Sequence, residues 1–160
     1  MKTLAISGAF AMLLAAPAFA ESHGPDLTAT GDAAKGEKAF KKCQSCHVVK
    51  NDEGEVLAGR NGKTGPNLYG VVGRTAGTVE DFRYGKDHIA AGEAGMVFDE
   101  ATFVAYVMDP KGAVREATGD GKARSKMSYR VRKEDEAKNL YAFLKSLAPA
   151  MDEEMEESGS

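Results

Sequence analysis

The chain has no tryptophan, two cysteines and five prolines in 160 residues, and past residue 20 it has no long apolar run. Two cysteines are too few for a disulfide framework. Without a later apolar run of roughly 20 residues, no membrane-spanning helix is expected beyond the N-terminus. With 42% hydrophobic and 28% charged residues, the composition excludes a collagen-like repeat and a wholly disordered chain, and it suits one globular domain. What the chain does have is 18 glycines, and both of its cysteines within four residues, at Cys43 and Cys46.

The first twenty residues read as a leader. Lys2 supplies a positive charge, the run from Leu4 to Ala16 is apolar or small, and Ala18-Phe19-Ala20 forms an A-x-A cleavage site before Glu21. The apolar stretch is too short for a membrane anchor. The expectation is a cleaved signal peptide at 1–20 and an exported, soluble mature protein. Segment 21–30 reads as flexible, a folded domain occupies 31–149, and 150–160 reads as a disordered acidic tail.

A formal net charge of −3 conceals an uneven distribution. The C-terminal segment holds Asp152, Glu153, Glu154, Glu156 and Glu157 with no base, which leaves the rest nearly neutral. Within that body, Lys111, Arg115, Lys122, Arg124, Lys126, Arg130, Arg132 and Lys133 face only Glu116 and Asp120. Export and the negative total disfavour nucleic acid as the partner of this basic stretch.

Helices joined by long loops are the predicted structure. Asp32 is placed to cap a helix running through Ala33 and Phe40 towards the cysteines. Asp99 caps a second, which ends at Met108 before Pro110. From Glu134 to Leu147, Ala137, Leu140, Tyr141, Leu144 and Leu147 recur at helical spacing, with acids first and Lys145 last, as the helix dipole favours. Short helical turns are expected near 81–84 and 87–91, and no strand is expected. Long loops at 48–64 and 110–125 in so small a domain imply that something other than side chains fills the centre.

Cys43-Gln44-Ser45-Cys46-His47 is the attachment point for such a filler. C-x-x-C-H is the signature of covalent c-type haem attachment: two thiols on one side of a tight turn add to the two vinyl groups, and the next imidazole binds the iron. A redox-active disulfide would sit at a strand-to-helix junction in a sheet, and no sheet is readable. Zinc would need a fourth ligand, yet His23 and His88 lie at no zinc-like spacing. Residues able to supply a sixth iron ligand are Met96, Met108, Met127, His23 and His88.

Taken in order, several short motifs resemble one family. They are Gly-Asp-Ala-Ala-Lys-Gly-Glu-Lys-Ala-Phe at 31–40, Cys43 to His47, Thr64-Gly65-Pro66-Asn67-Leu68, Val72-Gly73-Arg74 and Phe82-Arg83-Tyr84. Tyr106-Val107-Met108-Asp109-Pro110-Lys111, Ser125-Lys126-Met127 and Leu140-Tyr141-Ala142-Phe143-Leu144 follow. From Gly31 to about Leu147 the chain resembles the class I c-type cytochromes, of the soluble bacterial cytochrome c2 type. The resemblance implies an all-α fold of three main helices and long loops around one covalent haem c, and His47 and Met127 as axial iron ligands. It implies that the Pro66 carbonyl orients His47, that Tyr106 and Ser125 contact the Met127 side, and that Arg74 and Tyr84 face the haem propionates. Gly36, Phe40, Leu140 and Phe143 would join the terminal helices. Phe98 stands where the family commonly has tryptophan, and the loop 48–63 is longer than in mitochondrial relatives.

The implied activity is one-electron transport without enzymatic chemistry, by a periplasmic monomer that does not span the membrane. Electrons would pass from a cytochrome bc1 complex to a terminal oxidase, photosynthetic reaction centre or periplasmic reductase. The acidic docking surfaces of these membrane redox complexes would meet a ring of Lys41, Lys42, Lys111, Lys122, Lys126 and Arg130.

Overall fold

The structure is a computed structural model that describes residues 25–148. The leader expected at 1–20 and the acidic segment at 150–160 lie outside the described residues. Elements follow in the order α1 (Ala33–Phe40), β1 (Val48–Lys50), β2 (Val56–Gly59), α2 (Lys86–Glu93), α3 (Glu100–Met108), α4 (Pro110–Thr118) and α5 (Glu134–Ser146). Among the described residues, no helix is long and apolar enough to cross a membrane.

Local chemistry accounts for most boundaries. The Asp32 carboxylate accepts the Lys35 N–H at 3.0 Å and opens α1, and Asp99 accepts the Thr102 N–H at 2.7 Å to open α3. α5 starts with Glu134, Asp135 and Glu136 and carries Lys145 in its last turn. Several elements differ from the sequence expectation. Pro110 does end α3, but it also begins α4, because its fixed φ and missing N–H suit the first position of a helix. The stretch expected as a loop at 110–125 is therefore helical as far as Thr118. A small antiparallel hairpin, β1 with β2, also occupies part of the loop at 48–64; its register shifts between Val49 and Lys50. Residues 81–84 hold no helix: the chain turns through a Phe82 N–H to Val79 carbonyl hydrogen bond at 3.3 Å and then runs irregularly, and the turn expected at 87–91 is part of α2.

α1 and α5 cross at very short range. A Cβ on Gly36 would lie 1.9 Å from the Asn139 carbonyl oxygen and 2.6 Å from the Phe143 Cβ, so only glycine admits this approach. The Asn139 side chain accepts the Asp32 N–H at 2.7 Å, and the Phe40 and Phe143 rings lie 5.5 Å apart. On its other flank α5 meets α3 through Phe103 and Tyr141, also at 5.5 Å. Phe40, Leu140, Tyr141 and Leu144 are almost wholly buried, each adding about 1.5–3 kcal/mol of apolar burial. Over residues 25–30, in the segment expected to be flexible, the Leu27 carbonyl accepts from Lys145 Nζ at 2.9 Å and Thr30 bonds to Glu100.

Candidate functional site

The turn after α1 delivers the two cysteines and His47 to one wall of a cavity of about 250 Å³. The Cys43 carbonyl accepts the N–H groups of Cys46 at 3.1 Å and His47 at 2.9 Å, which curls the motif into a tight turn. Both cysteines are half-buried, and no disulfide joins them. Burial, with a smaller push from Glu136, drives the Cys43 thiol up to about 11.

His47 is held in a defined orientation. Its Nδ1 donates to the Pro66 carbonyl at 2.9 Å, while burial lowers its pKa and that hydrogen bond partly opposes the shift. A neutral ring that donates through Nδ1 carries its lone pair on Nε2, the form that binds a metal. Gly65 packs flat on the same ring: a Cβ there would fall 2.3 Å from His47 Cε1. The loop therefore needs glycine before Pro66 to let the imidazole stand where it does. This contact escaped sequence reasoning, which saw Gly65 only as part of a motif.

Met127, Tyr106 and Ser125 line the same cavity. Ser125 Oγ accepts the Met127 N–H at 3.2 Å and lies 3.2 Å from Tyr106 Oη, so the hydroxyl pair fixes the backbone that carries the thioether. Of the other sulfurs considered, Met96 is buried in the hydrophobic core and Met108 packs against that core, and neither lines this cavity.

Arg74 and Tyr84 also border the cavity. The guanidinium is spent largely on its own loop: Nε donates to the Gly70 carbonyl and Nη1 to the Asn67 carbonyl, both at 3.1 Å, and Nη2 donates to the Tyr69 carbonyl. Burial pulls its pKa down, and Tyr84 beside it partly restores it. All eight residues singled out from the sequence, Cys43, Cys46, His47, Pro66, Arg74, Tyr84, Tyr106 and Met127, thus share one wall or another of this cavity. Phe40, Leu68, Val71, Phe82, Val107, Val131, Leu140 and Leu144 complete a predominantly apolar lining. His88, considered above as an iron ligand, lines it too.

The basic residues separate into two groups. Lys42 and Lys126 border the cavity, whereas Lys41, Lys111, Lys122 and Arg130 are exposed elsewhere. Lys42 pairs with Glu136 at 2.7 Å, and Lys126 Nζ donates to the Arg83 carbonyl at 2.7 Å. Arg130 pairs with Asp109 at 2.8 Å and lines an adjacent groove with Lys42, Tyr129, Arg132 and Lys133.

These residues fit haem c: two thiols on the wall of a largely apolar cavity, an imidazole with its free nitrogen available and a thioether in the same lining. Matches to known proteins agree. Residues 33–148 match the family model described as Cytochrome c. Cytochrome c2 of Rhodovulum adriaticum is 58% identical over 118 residues, covering 74% of this chain and 94% of that protein. Cytochrome c2 of Cereibacter sphaeroides is 48% identical over 149 residues, covering 92% and 95%. Among solved structures, cytochrome c2 from Rhodobacter sphaeroides superposes with a TM-score of 0.72 at 52% identity, over 73% of this chain and 96% of that one. Ferric cytochrome c-550 from Paracoccus versutus gives 0.69 at 45% identity, over 74% and 99%.

Proposed function

The chain belongs to the cytochrome c family, and from that premise we propose that it is a periplasmic one-electron carrier whose haem c is ligated by His47 and Met127. It is an electron-transfer protein and not an enzyme, and its cofactor is haem c. When bound, the haem supplies one iron that alternates between ferric and ferrous states. The chain does the rest. Cys43 and Cys46 tether the group through thioethers, and His47 offers Nε2 because Pro66 holds Nδ1. Met127 is presented by the Ser125 and Tyr106 hydroxyls. A soft thioether favours the ferrous state and raises the potential, and the apolar lining does the same by disfavouring the extra positive charge of the ferric state. His47 and Met127 would together hold the iron and so would keep oxygen and peroxide from binding it.

The observation that carries this reading is the placement of His47 and Met127 in one cavity with the two thiols. Methionine ligation is tested by the absorption spectrum: the purified ferric protein should be low-spin, with the weak far-red band of methionine-ligated haem. Met127→Ala should abolish that band and lower the reduction potential. Retention of the band in that variant would remove Met127 from the ligand set.

The Lys42 and Lys126 border of the cavity supports a docking partner of opposite charge. The proposed donor is a cytochrome bc1 complex, with a terminal oxidase, reaction centre or periplasmic reductase as acceptor. Attraction between a basic rim and acidic docking surfaces speeds encounter more than it tightens the complex, which suits a carrier that must leave. The association rate with the bc1 complex should fall steeply as salt rises. A rate insensitive to salt would exclude electrostatic steering.

A further inference from the structure

His88 has no part in the electron-carrier site as described, yet it is the one buried polar residue among the described residues, at 8% exposure. It sits on α2 with its ring parallel to that of Tyr84, 5.0 Å away and inclined by 1°. Tyr106 meets it edge-on at 5.4 Å, and Phe98 closes a third side at 6.4 Å. One wall of this aromatic cage is therefore Tyr106, the residue whose hydroxyl adjoins the Ser125 and Met127 pair.

Several of the hydrogen-bonding groups around the cavity are committed. His47 is bonded to Pro66, Arg74 to three backbone carbonyls, and Tyr106 to Ser125. The His88 ring, by contrast, makes no hydrogen bond among the described residues, and burial alone pushes its pKa below the ordinary imidazole range. Beside it lie Tyr84, with Arg74 next to that ring, and Tyr106 on α3; α2 itself carries Lys86, Asp87 and Glu93, and the helix packed on it, α4, carries Lys111, Arg115 and Glu116. Lys126 approaches from beyond Gly85, and the Asp87 carboxylate is engaged with the Arg124 N–H at 2.9 Å. None of these charges contributes to its shift.

We propose that His88 is the proton-accepting group of the electron-transfer site, binding a proton as the chain gains an electron and releasing it as the electron leaves. This rests on the one-electron carriage argued above. The electron comes from the donor protein and the proton from solvent, so charge balances on each cycle. Two features favour the coupling. The imidazole shares its cavity with the cofactor, where a unit change of charge in a poorly screened interior alters proton affinity roughly tenfold or more. The parallel Tyr84 face also accommodates a cation better than bulk apolar packing does.

The sign follows from linkage: the reduced protein binds the proton more tightly, so the reduction potential falls as pH rises through the window between the ferric and ferrous pKa values of His88, and is flat outside it. The experiment is a potential-against-pH titration of the haem-loaded full chain and of His88→Asn, paired with an NMR titration of the His88 ring in both oxidation states of the unaltered protein. Expected are a sloping region in the unaltered protein that flattens in the variant, and a His88 proton affinity at least about tenfold higher in the ferrous form. A variant with an undiminished slope, or a His88 ring titrating identically in both states, would overturn the assignment. The NMR measurement needs no variant and so stands even if His88→Asn fails to fold. Absence of any reversible redox wave would instead overturn the carrier reading beneath it.

Discussion

The α1 and α5 pair and the cavity-lining loops are built on opposite principles. In the pair, glycine, asparagine and phenylalanine let two helices touch along their backbones, and every contact is between protein groups. In the loops, Pro66, Arg74 and Ser125 satisfy backbone groups locally, while the apolar side chains face a cavity. The helix pair carries its own core. The loop half borrows one, since its residues bury apolar surface fully only when haem fills the space between them.

The sharpest way to test that division is to remove the tether. Cys43→Ala with Cys46→Ala should leave no haem on the chain in a denaturing gel. Hydrogen-exchange protection should collapse in residues 60–85 and 119–131 before it does in α1 and α5. Equal loss in both halves would dissolve the contrast. Next in size is Gly36→Val, which strikes only the helix pair: the clash with the Asn139 backbone should cost about 3 kcal/mol or more in urea unfolding, while the absorption spectrum of the folded fraction stays the same.

Gly65→Ala is the complementary lesion in the loop half. Displacing the His47 ring should cost about 1–2 kcal/mol and, unlike Gly36→Val, should shift the visible spectrum and the potential. The smallest effect belongs to a helix start that serves neither half specifically: Asp99→Ala removes the cap on α3 and should lower stability by about 1 kcal/mol with no spectral change. If Gly65→Ala left the spectrum untouched, the distinction between packing that supports the fold and packing that aims a ligand would fail.

The two halves also differ in how far they could be read from the chain. α1, α3 and α5 were legible because Asp32, Asp99 and the acidic start at Glu134 announce them, and because Leu140, Tyr141 and Leu144 keep a helical period. α4 was hidden because Pro110 is both a stop and a start, and sequence reasoning took only the first meaning. The hairpin was hidden by length: strands of three and four residues with a shifted register carry too little alternation to detect. At the site, the contiguous cysteine and histidine motif declared itself. Gly65 against His47, and His88 against Tyr106, did not, because each joins residues eighteen apart that share no helix or strand, and the stacking of His88 on Tyr84 carries no sequence signal of its own.

The crossing at Gly36 and Asn139 has a further consequence, for the order in which parts of the molecule open. It joins the two ends of the domain and closes residues 41–133 into one loop, a closure that on ideal-chain grounds costs roughly 4 kcal/mol. Once that cost has been met by α1 and α5, a bond from Met127 across to the iron spans points already held near one another, and little chain entropy opposes its re-formation. A thioether from Met127 holding the haem, as proposed above, would then detach and return as a local fluctuation, on a path that leaves the helix pair shut. The clasp at the ends makes the ligand bond a latch and not a keystone.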